Sequence, residues 1–202
     1  MNKKILSFFI FFCAFVSLLY SYNNTPVIEI CEKQEEMERM LEKYDVTADV
    51  STWTYDQKGK LLKQEHKKII NGKEETKKGN KNKIIEPFKK RYQMYFNYDI
   101  KDRGNFWIIK VSLKEKFRKI RAEIGTYVVS KKTHYFVETK TILTRPPYSI
   151  FLRSFSMDTK YERIDDELIA PSVLKIVVVS KVIFGIMRKV IIVTKFSYKR
   201  KK

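Results

Sequence analysis

Two cysteines and two histidines among 202 residues leave little material for redox, metal or nucleophilic chemistry. Cys13 lies inside an apolar leader, so Cys31 stands alone in the rest of the chain and no internal disulfide can brace the fold. Cys31 falls in a helical pattern and reads as a small, partly buried apolar residue. His66 and His134 are far apart and sit in strand patterns, which falls short of the three or four convergent ligands a metal site needs. No HExxH, CxxC, GxSxG or phosphate-cradling glycine loop occurs. Asp165-Asp166-Glu167 is a run of carboxylates, but three consecutive residues on a turn point in different directions, so it reads as a solvated turn. No catalytic constellation is visible. The chain is read as a non-enzyme with neither cofactor nor metal.

Acidic residues are also scarce, with 23 Asp and Glu against 42 Lys and Arg, giving a formal net charge of +19. Such a surface attracts nucleic acid, anionic lipid head groups or acidic polysaccharide. The lysines are scattered, with a loop from Asn71 to Lys83 and a tail at Lys199-Arg200-Lys201-Lys202, so much of the charge reads as solvated surface. An anionic membrane surface is the leading functional partner for it.

The first residues demote nucleic acid as a partner. Met1-Asn2-Lys3-Lys4 precedes an apolar stretch from Ile5 to Tyr20 broken only by Ser7 and Ser17, and Ser21 supplies a small residue before a polar segment. This three-part pattern is that of a secretory signal. The run is shorter than the roughly 20 residues that span a bilayer, which favours a cleaved signal over a retained anchor. Phe12 is too bulky to precede a lipidated Cys13. Residues 1–21 are therefore expected to be the signal peptide and residues 22–202 a single domain, whose net charge is +17 once Lys3 and Lys4 are removed.

Glu29 to Tyr44 has the best helical pattern, with Ile30, Gln34, Met37, Leu41 and Tyr44 on one face and Glu29 and Glu32 at the positive end of the dipole. Beyond Tyr44 the period becomes two. Val46, Ala48 and Val50 alternate with polar residues, Trp53 and Tyr55 take the opposite parity (a bulge near Thr52), and Gln57-Lys58-Gly59-Lys60 is a turn before a returning strand, Leu61 to Ile70. Ile84 to Ile100 is ambiguous, with a short aromatic-faced helix after Pro87. Further strands are expected at Gly104–Leu113, Phe117–Ile124, Gly125–Val129, His134–Leu143, Tyr148–Met157 and Lys160–Ile164. Leu168–Pro171 reads as a connector, followed by Val173–Val182 and a last strand from Gly185-Ile186 to about Tyr198. Strands at roughly ten-residue spacing with short turns predict an antiparallel meander.

Aromatic content is the positive signal: 14 Phe, 12 Tyr and 2 Trp. Val173 to Val182 is apolar on both parities, so either both faces of the sheet are covered or one lines a cavity.

Four segments and a closing pair of strands carry a family resemblance. Ile120-Arg121-Ala122-Glu123-Ile124-Gly125-Thr126-Tyr127-Val128-Val129 leads through a turn to Thr133-His134-Tyr135-Phe136-Val137-Glu138. Met157-Asp158-Thr159-Lys160-Tyr161-Glu162-Arg163-Ile164-Asp165-Asp166 then precedes Leu168-Ile169-Ala170-Pro171, and two long strands end at Phe196-Ser197-Tyr198. This C-terminal two-thirds resembles the periplasmic lipoprotein-carrier (LolA/LolB-like) superfamily, in its branch of outer-membrane lipoprotein-sorting proteins. Ser130 departs from the family's hairpin Asp, Leu168-Ile169 from the aromatic before its proline, and no residue is matched to the arginine inside the family's cavity. The resemblance implies a mainly β (α+β) fold: an antiparallel half-barrel sheet capped by one or more helices. It also implies a carrier or sensor of lipid or lipoprotein acyl chains in the periplasm or cell envelope. The alternative is an envelope structural or interaction protein with a filled core and no ligand. For the first, the candidate ligand-binding face is Trp107, Ile109, Val111, Tyr127, Phe136, Phe151 and Phe155, whose inward parity any bulge would reverse.

Overall fold

The structure is a computed structural model that describes residues 26–71, 84–145, 152–181 and 186–201. The expected signal peptide, Phe151 and most of the Asn71–Lys83 loop lie outside the described residues.

Among the described residues there is one α-helix, α1, over residues 26–41. It begins at Pro26, earlier than expected, because the fixed φ of proline suits the first helical position and its missing N–H costs nothing there. Val27, Ile30, Cys31, Gln34 and Met37 are buried at helical spacing, while Glu32 and Glu38 face solvent. The helix ends before Tyr44, which is buried as the first residue of β1.

Nine strands follow among the described residues: β1 (Tyr44–Tyr55), β2 (Leu61–Ile70), β3 (Phe96–Arg103), β4 (Phe106–Leu113), β5 (Glu123–Ser130), β6 (Phe136–Leu143), β7 (Leu152–Arg163), β8 (Ile169–Lys181) and β9 (Met187–Arg200). They form one open sheet in the order β2-β1-β9-β8-β7-β6-β5-β4-β3, with every neighbouring pair antiparallel. From β3 to β9 the sheet is the expected meander, and the β1–β2 hairpin closes onto β9. A mainly β, open antiparallel sheet capped by one helix is the expected fold class.

Several boundaries differ from expectation for identifiable reasons. The two strands expected at Tyr148–Met157 and Lys160–Ile164 are one strand, β7, in which a register shift at Lys160/Tyr161 absorbs the break in pattern. Pro171 lies inside β8 at that same shift, opposite Tyr161, an irregular position of the kind at which a strand tolerates proline. Residues around Phe117 form a 3-10 turn (Glu115–Phe117), and β5 begins only at Glu123. The aromatic segment after Pro87 is a 3-10 helix, Lys90–Tyr95, leading into β3. The irregularity in β1 falls at Thr54/Tyr55 against β2, and its pairing with β9 is uninterrupted.

Lys199 and Arg200, the first half of the basic run read as a tail, belong to β9. Arg200 pairs with Glu167 at 3.2 Å, and the Lys201 Nζ donates to the Glu42 carbonyl at 2.7 Å. The Asp165 turn is tied down as well. Its carboxylate accepts the Tyr44 hydroxyl and the N–H groups of Glu167 and Leu168 at 2.9 and 2.8 Å. The Tyr44 hydroxyl, foremost, holds that carboxyl below its ordinary range.

The core lies between α1 and β3–β7. Val27, Ile30 and Cys31 of the helix meet Phe96 of β3, Ile109 and Val111 of β4, Tyr127 and Val129 of β5 and Phe136 of β6. A second cluster joins Met37 and Tyr44 to Leu168 and Ala170. Strand β2 is exposed along almost its whole length.

Candidate functional site

Register decides which side chains face the helix. Ile109 pairs with Tyr127, Tyr127 with Thr139, Thr139 with Thr159 and Thr159 with Leu174, so these residues form one row on one face of the sheet. The adjacent row runs through Val111, Gly125, Thr141, Met157 and Ile176. Phe136 joins this face because the register shifts at Val128/Val129, placing Val129 opposite Phe136; Val137 is turned outward.

Over β5–β8 the rows do not fill the space beneath α1. A cavity of about 310 Å³ remains. Its floor includes Tyr127, Phe136, Thr139, Thr141, Met157 and Leu174. Gln34, Met37 and Glu38 of the helix and the segment Glu86–Lys89 enclose it from above. Phe88 anchors that segment: its ring meets Tyr127 edge-on at 4.8 Å, Phe136 edge-on at 5.1 Å and Tyr98 at 5.8 Å.

The polar groups of the cavity are few and specific. Glu123 accepts a hydrogen bond from the Tyr127 hydroxyl at 3.1 Å and is bonded by the Thr141 side chain. Burial raises its carboxyl above the ordinary range, and the charge of Glu86 pushes the same way. Burial likewise raises the hydroxyls of Tyr127 and Tyr161. Gln34 is only 6% exposed, and its Nε2 has no hydrogen-bond partner. Among the described residues, no three His, Cys, Asp or Glu side chains converge as a metal site. The arrangement suits reversible binding of a molecule with an apolar body and a small polar part.

Of the residues expected to bind ligand, Ile109, Val111, Tyr127 and Phe136 are gathered in one cluster with the helix, and Trp107 packs against it. The cavity reaches two of them, Tyr127 and Phe136. Ile109 and Val111 are 0% and 4% exposed and pack in the filled part of the core. Trp107 stacks on the His134 ring at 5.3 Å and 13° instead of entering the cavity. Phe155 is half-buried on β7 opposite Val178, away from the cavity, and Phe151 lies outside the described residues. Sequence reasoning missed Glu123, Gln34 and the buried Thr139, Thr141 and Thr159. The alternation of Thr139 and Thr141 with Lys140 and Ile142 carries the signal, but threonine reads as the polar face when its neighbour across the strand is unknown.

No family model matches the chain and no curated protein is similar to it. Among solved structures, the crystal structure of a LolA superfamily protein from Nitrosomonas europaea is similar. It is 8% identical, covers 83% of this chain and 94% of that chain, and has a TM-score of 0.31. No helix among the described residues is long and apolar enough to cross a membrane.

Proposed function

We propose that the protein is an exported, non-enzymatic binding protein of the cell envelope that carries or senses lipid or lipoprotein acyl chains. In this reading residues 1–21 direct export and residues 22–202 form the binding domain. The observation that carries it is the cavity between α1 and β5–β8, whose volume of about 310 Å³ falls at the lower end of the usual range for ligand sites, about 300–1,000 Å³. Met37, Phe88, Phe136, Met157, Leu174 and Phe196 supply its apolar walls. Each methylene buried there contributes about 0.8 kcal/mol. The basic surface attracts the anionic membrane from which such a ligand would come.

Mass spectrometry of lipids that co-purify with residues 22–202 tests the proposal directly. Protein stripped of lipid should then bind a fluorescent acyl probe saturably, and Met157→Glu should lose the probe while circular dichroism stays unchanged. A second reading, an envelope interaction protein without a ligand, is favoured by the filled core around Ile109, Val111 and Val129. It takes over if stripped wild-type protein shows no saturable probe binding.

A further inference from the structure

The lining of the cavity is acidic although the chain as a whole carries +19, with Glu123 half-buried and Glu38 and Glu86 exposed at its edge. Glu38, Glu86 and Glu123 line it against a single lysine, Lys89, which is already paired with Glu38. Glu86 and Glu123 have no basic partner among the described residues, and the two carboxylates repel one another. Glu123 keeps spare capacity, because a carboxylate offers about four acceptor sites and here takes the Tyr127 and Thr141 donors. Desolvating a carboxylate without a cation is costly, and a ligand that covers the half-buried Glu123 relieves that cost when it brings the cation. Gln34 makes an independent demand. Its unpartnered Nε2, on a residue 6% exposed, is a donor lacking an acceptor at the wall of the same cavity.

Resting on the acyl-binding reading, we propose that the cavity selects an acyl amphiphile with an ammonium head, the ammonium bound by Glu123 and Glu86 and a carbonyl of the ligand accepting from Gln34. The aliphatic chain lies on Phe136, Met157 and Leu174. A free fatty acid fits poorly, because its carboxylate would be a third negative charge beside Glu86 and Glu123.

Competition against a neutral fluorescent acyl-ester probe, at a salt concentration that screens the basic surface, tests this assignment. The competitors are a straight-chain alkylamine, the fatty acid and the alcohol of equal chain length. The amine should displace the probe at concentrations about tenfold or more below those of the alcohol, with the fatty acid weakest, as charge-assisted hydrogen bonds require. Glu123→Gln should remove the amine preference, and Glu86→Gln, at an exposed position where folding is not at risk, should reduce it. Gln34→Leu should weaken the carbonyl-bearing probe while leaving the ratio of amine to alcohol unchanged. If the fatty acid equals or exceeds the amine, or if both glutamate variants keep the preference, the head-group assignment is overturned while acyl binding stands. If the neutral probe does not bind at all, the acyl-binding reading falls and the assignment with it.

Discussion

Replacing Gly125 with alanine should damage this protein more than any other glycine-to-alanine change at a described position. Gly125 lies within β5, opposite Thr141 of β6, at φ +152°, a conformation that L side chains rarely adopt. A Cβ added there would sit 2.1 Å from the Lys140 carbonyl oxygen and 2.8 Å from the Thr141 Cα. Both are backbone atoms of a paired strand, so no rotamer change relieves the clash and β5 must move away from β6. The strained dihedral costs about 1–3 kcal/mol, and overpacking a tight site about as much again. Taken at about 4 kcal/mol, the loss lowers Tm by about 8–16 °C in a domain of this size. Gly104 is the matched control. It has φ +61° in the turn between β3 and β4, with nothing within 4 Å of an added Cβ, so Gly104→Ala should cost only the left-handed penalty of about 1–2 kcal/mol. Urea unfolding followed by circular dichroism, with the slope checked for constancy, measures both variants. A Gly125→Ala variant as stable as Gly104→Ala would refute the close approach of β5 to β6.

Three further outcomes are expected. Burial holds the Glu123 carboxyl above its ordinary range, so the folded chain keeps that proton to higher pH than the unfolded one. Its contribution to stability therefore falls as pH rises from the ordinary carboxylate range through the raised value, and Glu123→Gln should flatten the slope; unchanged urea midpoints across a pH series would contradict this. The Cys31 thiol is fully buried and pushed up to about 11, foremost by that burial, so alkylation at mildly alkaline pH should follow global unfolding, and rapid labelling of the native protein would disprove it. Sedimentation with anionic vesicles should fall as salt rises, each basic residue near the surface contributing about 1 kcal/mol, whereas salt-independent binding would rule out electrostatic attraction.

Periodicity made much of the architecture legible where it was unambiguous. Trp107, Ile109, Val111 and Leu113 mark β4, and Ile30, Gln34 and Met37 mark the buried stripe of α1. It failed where long-range pairing sets the outcome. Gly125 reads as a boundary between two strands, yet β5 runs straight through it, and only the proximity of Lys140 explains why glycine is needed there. Glu123 shares its parity with Tyr127, but a carboxylate in a basic, soluble-looking strand reads as outward until Thr141 and Tyr127 are seen to hold it. Phe136 does lie on the expected face, but through a register shift that no local pattern encodes.

The place of β9 has a consequence for how the chain can be made. Tyr44 of β1 lies opposite Arg200, and β9 is the only link between the β1–β2 hairpin and the rest of the sheet. An isolated hairpin is at best marginally stable in water, so the first two strands to be synthesised have no strand of the main sheet to pair with until β9 follows. A nascent chain carrying strands β1–β8 holds the edges of β1 and β8 unpaired, and such edges invite association with other chains. Closure then depends on contacts between residues far apart in sequence, which makes folding slow and cooperative.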